Sequence, residues 1–126
     1  MANMVKTTPG SNTKQILLFT QPHAALGAKI ADTGVVAVAG RKIIPAGTPV
    51  GGANNFLENQ QAVLTVSNGA EAQGVLQYDV DVTDGEENGS VLIFGFVNLN
   101  RVDPSLTITP EAIAALDGKV TFARRN

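Results

Sequence analysis

Residues Ala72 to Arg101 read AQGVLQYDVDVTDGEENGSVLIFGFVNLNR and contain two strand signals joined by a polar loop. In the first signal the apolar side chains share one face, namely Leu76, Tyr78, Val80 and Val82. The polar side chains share the other face, namely Gln77, Asp79 and Asp81. This alternation predicts a half-buried strand that covers a core with one face and meets water with the other.

The second strand signal, Val91 to Val97, is the most apolar run of the chain and is apolar on both faces. It predicts either a central strand covered on two sides or a strand whose second face meets another chain. Gly95 has no side chain among its large neighbours and is interpreted as a bend or bulge. Between the two signals, Thr83 to Gly89 holds two glycines and several acidic side chains, which predicts a hairpin connection.

The composition indicates one small β-rich domain. A chain of 126 residues hides roughly two thirds of its unfolded surface on folding and can hold its own core. Aromatic residues make up only 5% and Trp is absent, so this core must be built from Val, Ile, Leu and Ala. The 13 glycines and 6 prolines favour many turns. There is no Cys, which excludes disulfides and thiolate metal sites.

The sequence does not favour a membrane-spanning segment, secretion or nucleic-acid binding. No apolar run approaches the ~20 residues that span a bilayer. Lys6 is not followed by an apolar signal core, so secretion by that route is not expected. The basic residues are scattered without interleaved aromatic residues, and they form no stripe that would follow a phosphate backbone.

The formal net charge is only −2, but the charges are unevenly distributed along the chain. Residues 1–42 carry five bases and a single acid, Asp32, whereas residues 43–100 carry seven acids and no base. Two interpretations stay open: the charges are solvated faces that happen to segregate, or they help to orient copies or partners.

The N-terminal residues 1–14, MANMVKTTPGSNTK, are polar and without periodicity, which predicts a flexible arm. Because chain termini usually fray, the arm is either a disordered tail or a segment that orders as an added strand on a partner. Gln15 to Phe19, QILLF, is short and apolar and predicts the first strand or the anchor of the arm. Residues 15–126 then form a single β-rich domain.

The segment Ile43 to Gly52, IIPAGTPVGG, predicts a short strand, a tight turn and a second short strand. Pro45 presets φ for the turn, and Gly47 permits a positive φ. Pro49 lacks an N–H and should keep the second strand at a sheet edge. Rigid corners of this kind are characteristic of compact β folds in which short hairpins pack around one another.

Other segments add strands and a loop to this β-rich pattern. Val35 to Ala39, VVAVA, predicts a buried strand, and Ala62 to Val66 and Val120 to Ala123 predict two more. Asn54 to Gln61 is polar around Phe56 and Leu57, which predicts either one helical turn or a loop pinned by an apolar side chain.

The residues from Ile108 to Gly118 predict the helix of the fold. Thr109 is placed to cap it and Pro110 occupies the first helical position, where its missing N–H costs nothing. So short a helix is not stable alone in water. It must therefore pack on the sheet, through Ile113 and Leu116.

The sequence predicts no catalytic residue, metal site or cofactor site. His23 is the single histidine and is interpreted as a structural or surface residue. The glycines of Gly34 to Gly40 have the wrong spacing for a phosphate loop, and no Ser or Thr follows.

The acidic segment Asp79 to Ser90 departs from a calcium loop at its glycine and at its last position. A general acid/base pair is not expected from the loop carboxylates Asp84, Glu86 and Glu87.

The order of these segments resembles the head decoration (cement) proteins of tailed bacteriophages, the lambda-type family. The resemblance spans residues 34–126 and lies in the Pro/Gly-rich corner, the segment AQGVLQYDVDVT, the acidic turn, SVLIFGFVNLNRV, the late short helix and the terminal KVTFARR. The polar N-terminal arm, residues 1–14, is a further feature that resembles this family. The corner is also similar to the short hairpins of antifreeze-like (SAF) domains, which share a β-clip type of fold with that family.

The resemblance implies a non-enzymatic protein that binds the outer surface of the mature head as a homotrimer and stabilises the lattice of the major capsid protein. It implies a compact β-clip-like or small barrel-like domain of short strands and hairpins, with one short C-terminal helix, no cofactor, and synthesis in the host bacterial cytoplasm. The arm would contact the shell, with Lys6, Pro9, Lys14 and Ile16 as the assigned residues. The subunit interface is assigned to Ile93, Phe94, Phe96 and Leu99.

Two other functions are kept as alternatives. The first is the capsid-attached base of a head fibre, which would anchor a longer partner. The second is a small SAF-like module that binds a sugar or another small ligand. Such a module needs a concave site with convergent polar groups, and the nominated side chains are Asn54, Asn55, Asn98 and Asn100.

Overall fold

The elements of the fold lie in residues 16–18, 23–52 and 55–125, which are the residues that the computed structural model describes. Within these ranges the chain forms eight strands, one α-helix and one 3-10 turn. The strands are β1 Ala24–Ile30, β2 Ile43–Ile44, β3 Pro49–Gly51, β4 Val63–Val66, β5 Ala72–Leu76, β6 Val80–Asp81, β7 Glu87–Asn98 and β8 Val120–Ala123. The helix α1 spans Pro110–Ala115, and the 3-10 turn spans Leu99–Arg101.

Strands β1, β4, β3, β5 and β7 are neighbours in that order, and β1 also pairs with β7, which closes a small barrel. The 12-residue β7 has three neighbours along its length. Its first part pairs with β1, Val91 and Leu92 pair with β5, and Gly95 to Asn98 pair with β8. The prediction of a mainly β, small barrel-like domain with a short C-terminal helix is confirmed.

Two hydrophobic cores lie on opposite sides of β5 and β7. Each barrel strand contributes a buried side chain to the first core, namely Ile30, Leu64, Val50, Leu76 and Val91. The second core packs outside the barrel, between the sheet and α1, and includes Ile16, Leu17, Val75, Leu92, Val97 and Leu116. The apolar run Val91 to Val97 is therefore a central strand with a core on each side, the first of the two alternatives that its pattern allowed.

The single strand predicted over residues 76–82 is wrong. β5 ends at Leu76, the chain bends, and Val80–Asp81 pairs with β2 in a separate two-stranded ladder. The bend places Asp79 Oδ1 2.8 Å from the backbone N–H of Ala46, which donates to it. Gln77, expected on the wet face, is buried; its N–H donates to the carbonyl of Ser90 at 2.9 Å, and its side-chain oxygen accepts from the Ser90 hydroxyl at 3.2 Å.

The buried strand predicted at Val35 to Ala39 is also wrong. Val36 to Ala39 are exposed and belong to a hairpin, in which Val38 and Arg41 exchange backbone hydrogen bonds of 2.7 and 3.1 Å with each other across a tight turn. The strand that the barrel uses instead is β1, which was not predicted. Its sequence AALGAKI alternates poorly because small residues fill the positions between its larger side chains.

The tight corner at residues 43–52 is confirmed as β2, a turn and β3, with Gly47 at φ 94°. A Cβ at Gly47 would lie 2.7 Å from a methyl carbon of Val102, which is a second reason for glycine there. The edge position predicted for the second strand is wrong, since β3 lies between β4 and β5. Pro49 is tolerated because it is the first residue of β3 and uses its carbonyl, which accepts from the N–H of Ser67 at 2.9 Å.

The predicted helix start is confirmed, since Thr109 Oγ1 accepts from the N–H of Ala112 at 3.1 Å and Pro110 is the first helical residue. Leu116 is fully buried, as expected. The expected burial of Ile113 is wrong, because Ala112 and Leu116 form the inward stripe at i and i+4 and Ile113 faces away from it. The strands predicted at residues 62–66 and 120–123 are present, and Phe56 pins its loop as a buried side chain.

Candidate interaction surfaces

Of the residues assigned to the shell-binding arm, Lys6, Pro9 and Lys14 lie outside the described residues. Ile16 is fully buried in the outer core. Its carbonyl accepts from the N–H of Asn98 at 2.9 Å, and the N–H of Leu18 donates to the carbonyl of Phe96 at 2.8 Å. The backbone of residues 16–18 is thus bonded to β7, and the buried Ile16 side chain offers no surface to a partner.

The four residues assigned to the subunit interface are mostly used by the chain's own fold. Ile93 packs against the barrel core and Leu99 against the outer core, and Phe96 is half-buried. Phe94 is different, since 42% of its surface is exposed. Phe94 is therefore the member of the set that presents an apolar ring to solvent.

The exposure of Phe94 is associated with an irregularity in β7. Phe94 pairs with Ala24 and Leu92 pairs with Ala25, so that Ile93 is an extra residue opposite the β1 strand. Gly95 follows at φ 155°, a conformation that a side chain rarely adopts. The predicted bulge at this position is confirmed, and bulges commonly redirect a side chain.

The exposed hairpin forms a second apolar surface, which we call the apolar knob and define as Val36 to Ala39. Ala39 and Gly40 have φ 55° and 79°, the positive values that a two-residue hairpin turn requires at both central positions. Val36 and Val38 are 79% and 74% exposed. Ala39 is also the one non-glycine residue at positive φ in the described part of the chain.

Charged residues hold the base of the hairpin. The guanidinium of Arg41 donates to the carboxylate of Asp81, and Lys42 Nζ lies 3.1 Å from Asp32 Oδ2. The N–H of Lys42 donates to Thr83 Oγ1 at 2.9 Å. Two bases of the N-terminal third thus pair with acids of the same chain, so that these charges also serve the fold.

The Asp81 carboxylate is stabilised by hydrogen bonds to its charged form. The hydroxyl of Thr83, then the N–H of Thr83 at 3.0 Å and the Arg41 guanidinium lower the pKa of Asp81 from 3.8 to about 2. Because the folded pKa is depressed, this stabilisation is present above pH 3.8 and is lost as the pH falls toward 2.

We predict a carboxyl titration midpoint for Asp81 of about 2 by NMR. Thr83→Val removes the hydroxyl donor and should raise that midpoint toward 3.8. Lys42→Gln is the matched control, because this neighbouring charge pairs with Asp32 instead. An unchanged midpoint in Thr83→Val would contradict the assignment of the shift to this hydroxyl.

Beside the base of the knob lies a third surface, which we call the apolar groove. Its volume is about 220 Å³, and its apolar lining residues are Val35, Ile43, Ile44, Pro45, Val66 and Leu106. Gly34, Thr48 and Ser105 complete the lining, so that no charged side chain contributes to it. Ile43 and Val66 are partly exposed there.

The asparagines nominated for a small-ligand site make internal contacts where they are described; Asn54 lies outside the described residues. Asn98 accepts from the N–H groups of Asn100 and Arg125 at 3.0 and 3.1 Å and donates to the Arg125 carbonyl at 2.8 Å. Asn55 accepts from the N–H of Leu57 at 3.0 Å. These amides fasten the turn after β7 and a surface loop.

Comparison with protein-family models, curated proteins and solved structures gave no match for this chain. Within the described residues, there is no group of three or more His, Cys, Asp or Glu side chains placed to hold a metal ion. None of the described helices is long and apolar enough to cross a membrane.

Proposed function

We propose that this chain is a non-enzymatic capsid decoration protein of a tailed bacteriophage. It binds the outer surface of the mature head as a homotrimer, stabilises the lattice of the major capsid protein there, and is made in the host bacterial cytoplasm. The observation that carries the proposal is the set of large apolar side chains left outside two filled cores, above all Val36, Val38 and Phe94.

These exposed side chains are not needed to complete either core. The barrel core and the outer core already hold fully buried side chains from the barrel strands, α1 and the N-terminal residues. Val36 and Val38 lie two residues apart in one exposed hairpin, and apolar side chains grouped in this way are often covered by association. A protein that works by association needs surfaces of this kind and no enclosed reactive site.

The attachment of the N-terminal residues supports a role for the arm. Residues 1–14 lead into Ile16 and Leu17, which are buried and hydrogen-bonded beside β7, and Arg101 Nη1 lies 3.3 Å from the Leu17 carbonyl. A partner that binds the arm is thereby connected to the longest strand of the barrel. The capsid as that partner comes from the resemblance to the decoration family.

The SAF-like alternative has less support, because Asn55, Asn98 and Asn100 already bond to backbone groups of this chain. A ligand would have to displace those bonds, and the cost of unpaired buried polar groups would reduce its affinity. The buried Asn98 would lose most.

Co-sedimentation with expanded heads of the phage that encodes the chain tests the proposal. We expect saturable binding by the full chain, and weakening by about tenfold or more without residues 1–14, because arm and body then no longer bind together. A second variant, the full chain with Lys6→Ser and Lys14→Ser, retains the arm but removes its charges, and it should also bind more weakly because both lysines are assigned to the shell contact. Absence of binding to every form of the head would refute the proposal.

A further inference from the structure

We propose that the apolar knob of one copy docks into the apolar groove of a second copy. This inference rests on the proposed function for the trimer that it would build, but its argument and its test need no capsid. The sequence pattern does not indicate either surface, since it predicts a buried strand at Val35 to Ala39.

The knob is a rigid, uncharged projection. Its tip is closed by the backbone bonds between Val38 and Arg41, and its base is held by the pairs of Arg41 with Asp81 and of Lys42 with Asp32. Val35, at the start of the hairpin, packs against the barrel core. A surface ordered in this way before binding loses little conformational entropy on docking.

The groove has the chemistry that the knob requires. Its lining is mostly aliphatic and contains no charged side chain, and residues 33–40 of the hairpin are likewise uncharged. Docking would remove Val36 and Val38 from water together with Ile43 and Val66, without burying an unpaired charge. The charged pairs at the hairpin base lie outside the groove lining and would stay at the rim of the contact.

A second copy is the occupant that these surfaces favour. The knob does not fill its own groove, because Val36 and Val38 remain 79% and 74% exposed although Gly34 and Val35 line that groove. Every copy carries one knob and one groove, so that their numbers always match. Such a head-to-tail contact leaves no surface unpaired when the copies close into a ring, as a trimer does.

Disulfide trapping tests the contact directly, because the chain has no Cys and a single introduced Cys is unique. Val38→Cys places a thiol on the knob, and Val66→Cys places one in the groove. The matched control is Val63→Cys, which lies on the same strand and is exposed to the same extent, 38%, but does not line the groove. Equal mixtures of two single-Cys variants are oxidised mildly in solution, and the mixed dimers are quantified.

We expect the 38–66 disulfide to form about tenfold more than the 38–63 disulfide, because docking raises the local concentration of the two thiols. Ile43→Cys is a second groove reporter and should behave like Val66→Cys. A doubly substituted Val36→Asp, Val38→Asp chain, with folding checked by its melting temperature, should show a lower native mass. Equal yields of the 38–66 and 38–63 disulfides, or an unchanged mass for the Asp variant, would refute the proposal.

The two proposals fail separately. If heads bind the chain but the 38–66 disulfide does not form preferentially, the copy-to-copy contact is refuted and the decoration function stands. Loss of head binding in the Asp variant would then identify the shell as the occupant of the knob. If the 38–66 disulfide forms preferentially but no head binds, the contact stands and the decoration function is refuted.

Discussion

Leu76→Ala is expected to lower the free energy of unfolding by about 2–5 kcal/mol, the usual cost of removing a buried leucine side chain. Leu76 is fully buried in the barrel core, where it faces side chains from the other barrel strands. The substitution would leave a cavity between strands that are already paired and cannot close around it. Urea denaturation at a fixed protein concentration measures the change, since association also alters the apparent stability.

The matched control for Leu76→Ala is Leu57→Ala, because Leu57 is an exposed leucine in a surface loop. We expect that change to alter the free energy of unfolding by less than about 0.5 kcal/mol. If the two variants were equally stable, the barrel interior would not be the packed core described above.

Gly51→Ala is expected to destabilise the chain by about 3 kcal/mol, at the upper end of the range for overpacking. A Cβ at Gly51 would lie 2.0 Å from the carbonyl oxygen of Glu71, which belongs to the backbone and cannot rotate away. The register between β3 and β5 shifts at this point, so that the two backbones approach closely. Relief would require the strands to separate inside the barrel.

Gly27→Ala provides the control, since Gly27 is also a strand glycine but a Cβ there would meet no heavy atom within 4 Å. Its stability should be unchanged or raised by up to about 1 kcal/mol, because alanine restricts the unfolded chain. Thermal unfolding of both variants gives the comparison. A Gly51→Ala chain as stable as Gly27→Ala would show that β3 and β5 do not approach as described.

The parts of the fold that were predictable from the sequence are those with strong local signals. Thr109 and Pro110 mark the helix start, and the two prolines and Gly47 mark the corner, because caps and turns depend on the residues that form them. β1 was missed because its sequence alternates weakly, and its position depends on pairing with β7, about sixty residues later in the chain. Pairing at that distance leaves no local pattern.

The candidate surfaces were only partly predictable for the same reason. Phe94 was selected because it lies in a conspicuously apolar run, but the pattern does not show which residues of that run face solvent. The knob was assigned to the interior, because an apolar run such as VVAVA is usually buried. The signals that indicate otherwise are the Ala-Gly pair at a turn position and the two bases that follow it directly, Arg41 and Lys42.

The pairing of β1 with β7 also determines what a newly made chain exposes. Until β7 leaves the ribosome, β1 and β5 are the two open margins of an unfinished sheet, and their unpaired backbone groups can join those of a neighbouring nascent chain. β7 covers both margins at once, since it pairs with β1 and with β5. The growing chain can therefore aggregate through these two margins until β7 has emerged, which happens late in synthesis.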